Sequence, residues 1–282
     1  MDTKHTELTL MQITKRFSTE DAAREYFEQI RWPEGPVCVH CGNADTERIY
    51  KVTANQAKKI RAGLYKCAEC GEGFTVTVGT VMEDTHIPLN KWLIAFYMMC
   101  ASKTQISALQ LQRQLEIGSY RTALFLCHRI RYALKDAEPT DLLNGYVEAD
   151  ETYIGGKRRG KGRAYTGNKT PVVSLVERGG RVRSQVVNAS KVSGAEITMI
   201  LRKHVAETAH LNTDQSPIYA KVGKEFATHD TVNHSVEEYA RKDDSGRLAT
   251  TNAAEGFFGN SKRSIDGTHH HISRQHTGLY FA

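Results

Sequence analysis

The chain has 282 residues and a formal net charge of +6, with a pI of about 8.9. A chain of this size carries two or three structural units and at least one sizeable core. The positive excess suits a polyanionic partner without singling one out, so its distribution matters more than its sum. The longest strongly apolar run, Trp92 to Ala101, is too short to span a bilayer, and the polar start MDTKHTELTLMQITKRF lacks the apolar stretch of a signal peptide. The expectation is a soluble, cytoplasmic protein with no membrane partner. Six cysteines, four of them in two Cys-x-x-Cys pairs, point in that compartment to metal rather than disulfides.

In chain order, residues 18–30 read as a first helix, with Ser18 as N-cap and Ala22, Tyr26, Phe27 and Ile30 on one apolar face. Trp32-Pro33 ends it. Residues 37–81 hold the cysteine pairs and short β-rich stretches such as Phe74–Val78. Three helices are predicted next: Leu89–Ala101, Gln105–Leu115 and, after a turn at Ile117-Gly118, Ser119–Lys135. Asp136–Asn144 is a linker. The pattern then turns to strands. Gly145–Ile154 is the first, and Val172–Glu177 and Arg181–Asn188 flank a hairpin turn at Arg178-Gly179-Gly180. Ser193 with Glu196 forms a capping box for a helix running to Thr208. Leu211–Asp214 and Thr228–His234 are further strands, and Ala253–Ser264 is a helix. The second half is a mixed α/β domain. The expected segments are 1–36 (helical), 37–88 (metal ribbon), 89–140 (helical unit) and 141–282 (α/β domain).

Cys38-Val39-His40-Cys41 and Cys67-Ala68-Glu69-Cys70 stand 25 residues apart. A two-residue gap lets both thiolates of a pair reach one ion, and four thiolates close a tetrahedral structural zinc shell. Gly42 and Gly71 come directly after each pair, where such knuckles need a permissive backbone. His40 reads as a surface residue, and Cys100 and Cys127 as buried apolar ones. Gln105 to Ala123 has helix-turn-helix spacing with Gly118 in the turn, and an ordinary helical hairpin fits it equally. In the first case Tyr120, Arg121, Arg129 and Arg131 face DNA.

Tyr146 to Ile154 carries three acids. Alternation puts Glu148 and Asp150 on one face and Glu151 on the other. Acids on a central strand are costly unless neutralised, and a divalent cation does that. Asp214 ends a second strand and Glu255 lies on a helix, so three carboxylates from separate elements offer oxygen ligands for two Mg2+ ions. Each acid alone also fits a surface or capping position, and spacing does not choose. Lys262, two turns after Glu255 on the same face, suits a phosphate or plain solvent; Arg263 takes a neighbouring face. Gly155 to Lys169 holds six basic residues and no acid, among them Lys157, Arg158, Arg159, Lys161 and Arg163. Such a flexible basic loop fits a phosphate backbone. His269, His270, His271 and His276 read as local packing and surface residues.

Val147-Glu148-Ala149-Asp150-Glu151-Thr152-Tyr153-Ile154-Gly155-Gly156-Lys157 resembles the signature of the zinc-ribbon insertion-sequence transposases of the ISXO-two-like group. Cys38-x-x-Cys41, Tyr65-Lys66-Cys67-x-x-Cys70, Phe74-Thr75-Val76 and Gly79-Thr80-Val81 resemble that family's ribbon, and Ile106 to Arg131 its helical segment. Thr251-Asn252, Glu255-Gly256-Phe257-Phe258 and Lys262-Arg263 resemble its third acidic block. Gly267-Thr268, His270-His271 and His276 resemble the family's segment C-terminal to that block. The resemblance implies a ribonuclease-H-like catalytic domain behind a zinc ribbon and a helix-turn-helix-like unit. It implies a triad of Asp150, Asp214 and Glu255 with Lys262 beyond it, and Mg2+ dependence with Mn2+ able to substitute. It also implies recognition of terminal inverted repeats and target DNA, and homo-oligomeric action on paired ends. Two departures stand out. Ala253-Ala254 replaces a bulkier pair before Glu255, which is expected to loosen the helix start. The family continues past Ala282 into a further helix, so a weakened or inactive core is the alternative expectation, as is a zinc-ribbon DNA-binding regulator without catalysis.

Overall fold

The computed structural model describes residues 8–102, 105–135, 141–156, 169–233, 236, 238, 240–242, 246 and 248–281. The basic loop with Lys157, Arg158, Arg159, Lys161 and Arg163 lies outside them. The chain divides into two compact units, Met1–Ala133 and Leu134–Ala282.

The first unit opens with α1 (Leu10–Arg16), a helix not predicted, whose start is a capping box between Thr9 and Gln12. Helix α2 (Glu20–Arg31) is capped by Thr19, not Ser18: the Thr19 hydroxyl accepts from the Ala22 N–H at 3.2 Å. Tyr26 and Phe27 pack against the core as predicted, and Tyr26 also meets Phe17 with ring centres 4.7 Å apart. Ile30 departs from the predicted face at 61% exposed, while Ala23 is fully buried. Strands β1 (Ile49–Lys51), β2 (Tyr65–Cys67) and β3 (Gly73–Phe74) form an antiparallel sheet in that order. The predicted strand Phe74–Val78 stops after Phe74. Beyond it the Thr75 and Thr77 hydroxyls bond each other at 2.9 Å and the Val78 N–H turns back to the Thr75 carbonyl, a local competition that threonine hydroxyls favour.

Helix α3 (Leu89–Ala101) matches the prediction. Helix α4 (Ala108–Gln114) begins three residues late, since Gln105 has φ 63° and Ser107 caps by accepting from Gln110 N–H at 3.1 Å. Helix α5 (Tyr120–Leu134) completes the unit. A single apolar cluster runs from Ile13 through Trp32, Phe74, Trp92 and Leu111 to Ile130, so helices and ribbon share one core. Cys127 is buried as expected, but Cys100 is exposed: it shares the face of Leu89 and Leu93 yet stands in the last turn of α3.

The second unit is a five-stranded mixed sheet in the order β6-β5-β4-β7-β8. Its strands are β4 (Tyr146–Ile154), β5 (Thr170–Glu177), β6 (Val182–Val186), β7 (His210–Asp214) and β8 (Thr228–Val232). The first three pair antiparallel, while β7 runs parallel to both β4 and β8. Helix α6 (Gly194–His204) has the predicted Ser193–Glu196 capping box and ends earlier than predicted. A short ladder of β9 (Ala240–Lys242) with β10 (Leu248–Thr250), not predicted, precedes α7 (Asn252–Ser264). Val147, Ala149, Leu175 and Leu211 pack beneath Ile197, Ile200 and Leu201 of α6. Ile154 and Val172 pack instead with Phe258 of α7, Ile265 and Phe281. Burial on both faces explains the near-continuous apolar run of β5. Leu211→Ala, at a fully buried central position, should cost about 2–5 kcal/mol in chemical unfolding; a loss well below that would mean the α6 face is loosely packed.

Candidate active site and metal centre

The cysteine knuckles are near copies of each other. The Gly42 and Gly71 amides donate to the Cys38 and Cys67 carbonyls, each at 2.9 Å, and the Cys38 and Cys67 amides donate to the Asn43 and Glu72 carbonyls. Gly42 has φ 76° and Gly71 φ 77°, the left-handed region that disfavours a side chain. Cys38 Sγ lies 3.7 Å from Cys70 Sγ, and Cys41 Sγ 3.8 Å from Cys67 Sγ. Sulfurs around a tetrahedral zinc with Zn–S of about 2.3 Å stand about 3.8 Å apart, so the geometry fits that ion. Backbone N–H groups of Cys70 and Glu69, with the Asn43 side chain, lower the Cys67 thiol, while burial and the neighbouring thiols raise Cys41 and Cys70, so these thiols titrate as one set. His40 is exposed, as expected.

The acids sit where β4 and β7 run side by side. The parallel register pairs Tyr146 with His210, Val147 with Leu211 and Glu148 with Asn212. Asp150 and Asp214 each lie two residues beyond the last of these pairs, on the same face, at the same height. Asp150 Oδ1 accepts from the Glu151 N–H at 2.8 Å and Asp214 Oδ1 from the Ser216 N–H at 3.0 Å. Asn212 Oδ1, one rung below, is buried with no hydrogen-bond partner. Glu151 points to the opposite face, as alternation requires, and accepts from the Tyr219 hydroxyl at 2.7 Å. Burial pushes the Glu151 carboxyl up to about 6, with the charges of Asp214 and Asp150 adding to it. Burial, and next the Glu151 charge, push the Tyr219 hydroxyl well above its ordinary range. On the other face Asp150 and Asp214 offer only carboxylate oxygens, the donor type a hard divalent cation takes.

Glu255 lies in the first turn of α7 and is exposed, with its N–H bonded to the Thr251 carbonyl at 3.0 Å. Lys262 and Arg263 are exposed in the last turn, where Arg263 bonds Asn260. Among the described residues only the four cysteines gather ligand atoms within 4.8 Å of one another; Asp150, Asp214 and Glu255 do not form such a group. Sequence reasoning misses Glu148. It is 1% exposed and accepts from Arg178 Nε at 2.7 Å and from the Ala253 and Ala254 N–H groups at 2.7 and 3.1 Å. The start of α7, expected to be loosened by Ala253-Ala254, is therefore held by the sheet. An acid in the middle of a buried strand is the available signal.

On the helical unit, Tyr120 is 51% exposed and Arg121 is exposed at the start of α5. One other expectation there is corrected: Arg131 is 5% exposed and donates inward to Gln105 Oε1 at 3.4 Å, because helix phase rather than charge decides side-chain direction. Arg129 is half-buried beside the exposed Phe125 ring and donates to the Glu83 carbonyl at 2.8 Å. Of the C-terminal histidines, His270 bonds the Asp266 carbonyl at 2.9 Å, His276 bonds Ser273 at 2.8 Å, and the His269 ring meets Tyr280 edge-on at 4.8 Å, all local packing. No described helix is long and apolar enough to cross a membrane.

The Glu151→Gln variant tests the crowding. A carboxyl whose folded pKa is raised from 4.5 to about 6 is at no disadvantage below pH 4.5, and lowers stability as pH rises through 6. In metal-free protein, Glu151→Gln is expected to gain about 2 kcal/mol at pH 7.5 and little at pH 4. Equal gains at both pH values in urea unfolding would contradict the assignment.

A model of the transposase zinc-ribbon domain matches residues 18–72, and a model of the ISXO2-like transposase domain matches residues 142–282. An uncharacterized protein in transposable element ISH50 of Halobacterium salinarum is 29% identical over 250 residues, covering 83% of this chain and 80% of that protein. A chain of the simian T-cell lymphotropic virus intasome, solved in complex with PP2A regulatory subunit B56 gamma, is similar at a TM-score of 0.30 and 12% identity. That similarity covers 66% of this chain, and this chain spans 62% of that one. With the transposase-domain model covering the whole of its α/β half and the ribbon model the cysteine knuckles, the chain belongs to the ISXO2-like transposase family.

Proposed function

We propose that the protein binds the terminal inverted repeats of an insertion sequence and catalyses metal-dependent strand cleavage and strand transfer. The observation that carries this reading is the shared height and face of Asp150 and Asp214 on adjacent parallel strands, with α7 and Glu255 fastened over the same face by Glu148. The strand order, three antiparallel and two parallel, supports a ribonuclease-H-like catalytic domain over 141–282. The segments 1–36, 37–88 and 89–140 serve as helical lead, zinc ribbon and helix-turn-helix-like DNA-binding unit.

Asp150, Asp214 and Glu255 are the residues that hold Mg2+ or Mn2+. Such ions, when held by these carboxylates, would supply the Lewis acidity for activating a water or 3′-hydroxyl and for neutralising charge on the leaving oxygen. Lys262, two turns beyond Glu255, takes a backbone phosphate, and Arg263 a neighbouring one. Lys157, Arg158, Arg159, Lys161 and Arg163 wrap the DNA backbone electrostatically. Tyr120 and Arg121, exposed at the start of α5, approach DNA from the helical unit. The exposed position of these two side chains supports that role. Action on two paired ends calls for a homo-oligomer.

The test is cleavage and joining on the element's own ends with Mg2+ or Mn2+, comparing the wild type with Asp150→Asn. Activity that disappears in the variant supports the reading. If both proteins bind the ends and neither cleaves, a DNA-binding regulator or an inactive remnant takes its place, a reading favoured by the three acids not gathering within 4.8 Å.

A further inference from the structure

Helix α7 begins without help from its own N-cap: Thr251 makes no side-chain capping bond. The Asn252 N–H meets the Thr250 hydroxyl at 3.1 Å, and the next two, of Ala253 and Ala254, meet Glu148, a carboxylate from the middle of β4. That carboxylate is almost wholly buried and has three donors, two helix amides and Arg178 Nε, so its charge is met on both oxygens. Arg178 then reaches onward, donating to the Leu248 carbonyl at 2.8 Å and the Thr250 carbonyl at 3.2 Å, and its guanidinium lies 5.3 Å from the Tyr146 ring centre. One ion pair thus ties β4, the β5–β6 turn, β10 and the start of α7 together.

Glu148 is two residues from Asp150 on the same face, about 7 Å along the strand. Glu255 comes directly after the two amides Glu148 holds. We propose that Glu148, braced by Arg178, is a positioning residue that sets where Glu255 stands relative to Asp150 and Asp214. Its grip is on the helix backbone, so it fixes the height and rotation of the first turn while touching no reacting atom. A carboxylate suits this because the helix N-terminus carries partial positive charge. A shorter or neutral side chain there leaves the turn free to shift, and misplacement by about 1 Å can lower a rate 100-fold. The proposal rests on the transposase reading for its catalytic consequence only.

Two measurements separate the two ideas. Amide hydrogen exchange in the full chain reads the grip itself. In Glu148→Gln, which keeps volume and one acceptor, the Ala253, Ala254 and Glu255 amides are expected to exchange at least about 10-fold faster while α6 amides are unchanged. Unchanged protection of the first turn overturns the proposal whether or not the protein cleaves DNA. The second measurement is strand cleavage. Glu148→Ala is expected to lose about 100-fold or more in rate and to need more Mn2+ for half-saturation, with binding of the ends unaltered. Glu148→Gln should recover part of both. A folded Glu148→Ala with wild-type rate and Mn2+ dependence overturns the catalytic consequence. Should Glu148→Ala fail to fold, Arg178→Lys takes its place, with the same expected shift in Mn2+ dependence. Absence of cleavage by the wild type sinks the transposase reading and leaves the exchange result to judge Glu148.

Discussion

Cys67→Ser is expected to abolish zinc retention and to unfold far more than the ribbon. The wild type should carry one zinc per chain by elemental analysis, and the variant none. Structural zinc in small ribbons supplies about 10–16 kcal/mol of apparent binding energy, and that energy is folding energy. A whole domain keeps only about 5–15 kcal/mol of net stability, so loss of the ion outweighs what the remaining contacts supply. Here the loss spreads. Glu28 of α2 accepts from the Tyr65 hydroxyl at 2.8 Å and from Lys51 at 3.1 Å. Arg31 donates to the Val76 and Val78 carbonyls at 2.7 and 2.6 Å, and Trp32 packs edge-on against Tyr65 and Phe74. Helix α2 is thereby built on the ribbon, and its helical signal in circular dichroism should fall with the zinc. A variant that keeps its melting curve and its metal would show that the four thiols are not a zinc site.

Asp150→Asn carries the second large expected effect, and it has two opposite signs. Loss of a metal-binding oxygen in a two-ion site removes several kcal/mol of transition-state stabilisation, about 1000-fold or more in cleavage and joining. The same substitution should stabilise the metal-free protein by on the order of 1 kcal/mol, because one of three crowded negative charges is gone and the half-buried Glu151 ionises more easily. Thermal or urea unfolding in chelator, paired with the activity assay, reads both. A variant that is inactive and also less stable would recast Asp150 as a structural residue. A site that gains stability when its acids are removed is one whose ligand set was kept for binding rather than for folding.

The parts of this molecule that are legible in the sequence are those where a local rule acts alone. Cys-x-x-Cys with a glycine directly after it prescribes a knuckle. Ser193 with Glu196 prescribes a helix start, and Arg178-Gly179-Gly180 between two valine-rich runs prescribes a hairpin; all three are present. Asp150 and Glu151 fall on opposite faces because a strand allows nothing else. The misses come where tertiary contacts overrule the local rule. Ser18 has cap chemistry, but the hydroxyl that caps is that of Thr19, one residue later. Arg131 has the chemistry of a DNA contact, but helix phase turns it inward. Glu148 reads as one acid among three, since nothing local says that a distant helix will lack its own cap. The Thr9-x-x-Gln12 box of α1 is a different kind of miss, because its signal is local and complete.

The alternation of acids along β4 also guards against a mispaired sheet. A strand that slides by one residue against β5 or β7 exchanges its two faces completely. Glu148 and Asp150 would then drop toward the apolar cluster of Val173, Leu175 and Ile197, away from Arg178 and the α7 amides, and Val147 and Ala149 would rise beneath α7 in place of the carboxylate it needs. Each stranded carboxylate would cost several kcal/mol. Glu148, by needing α7 above it, therefore also favours, during folding, the one alignment in which the sheet can close.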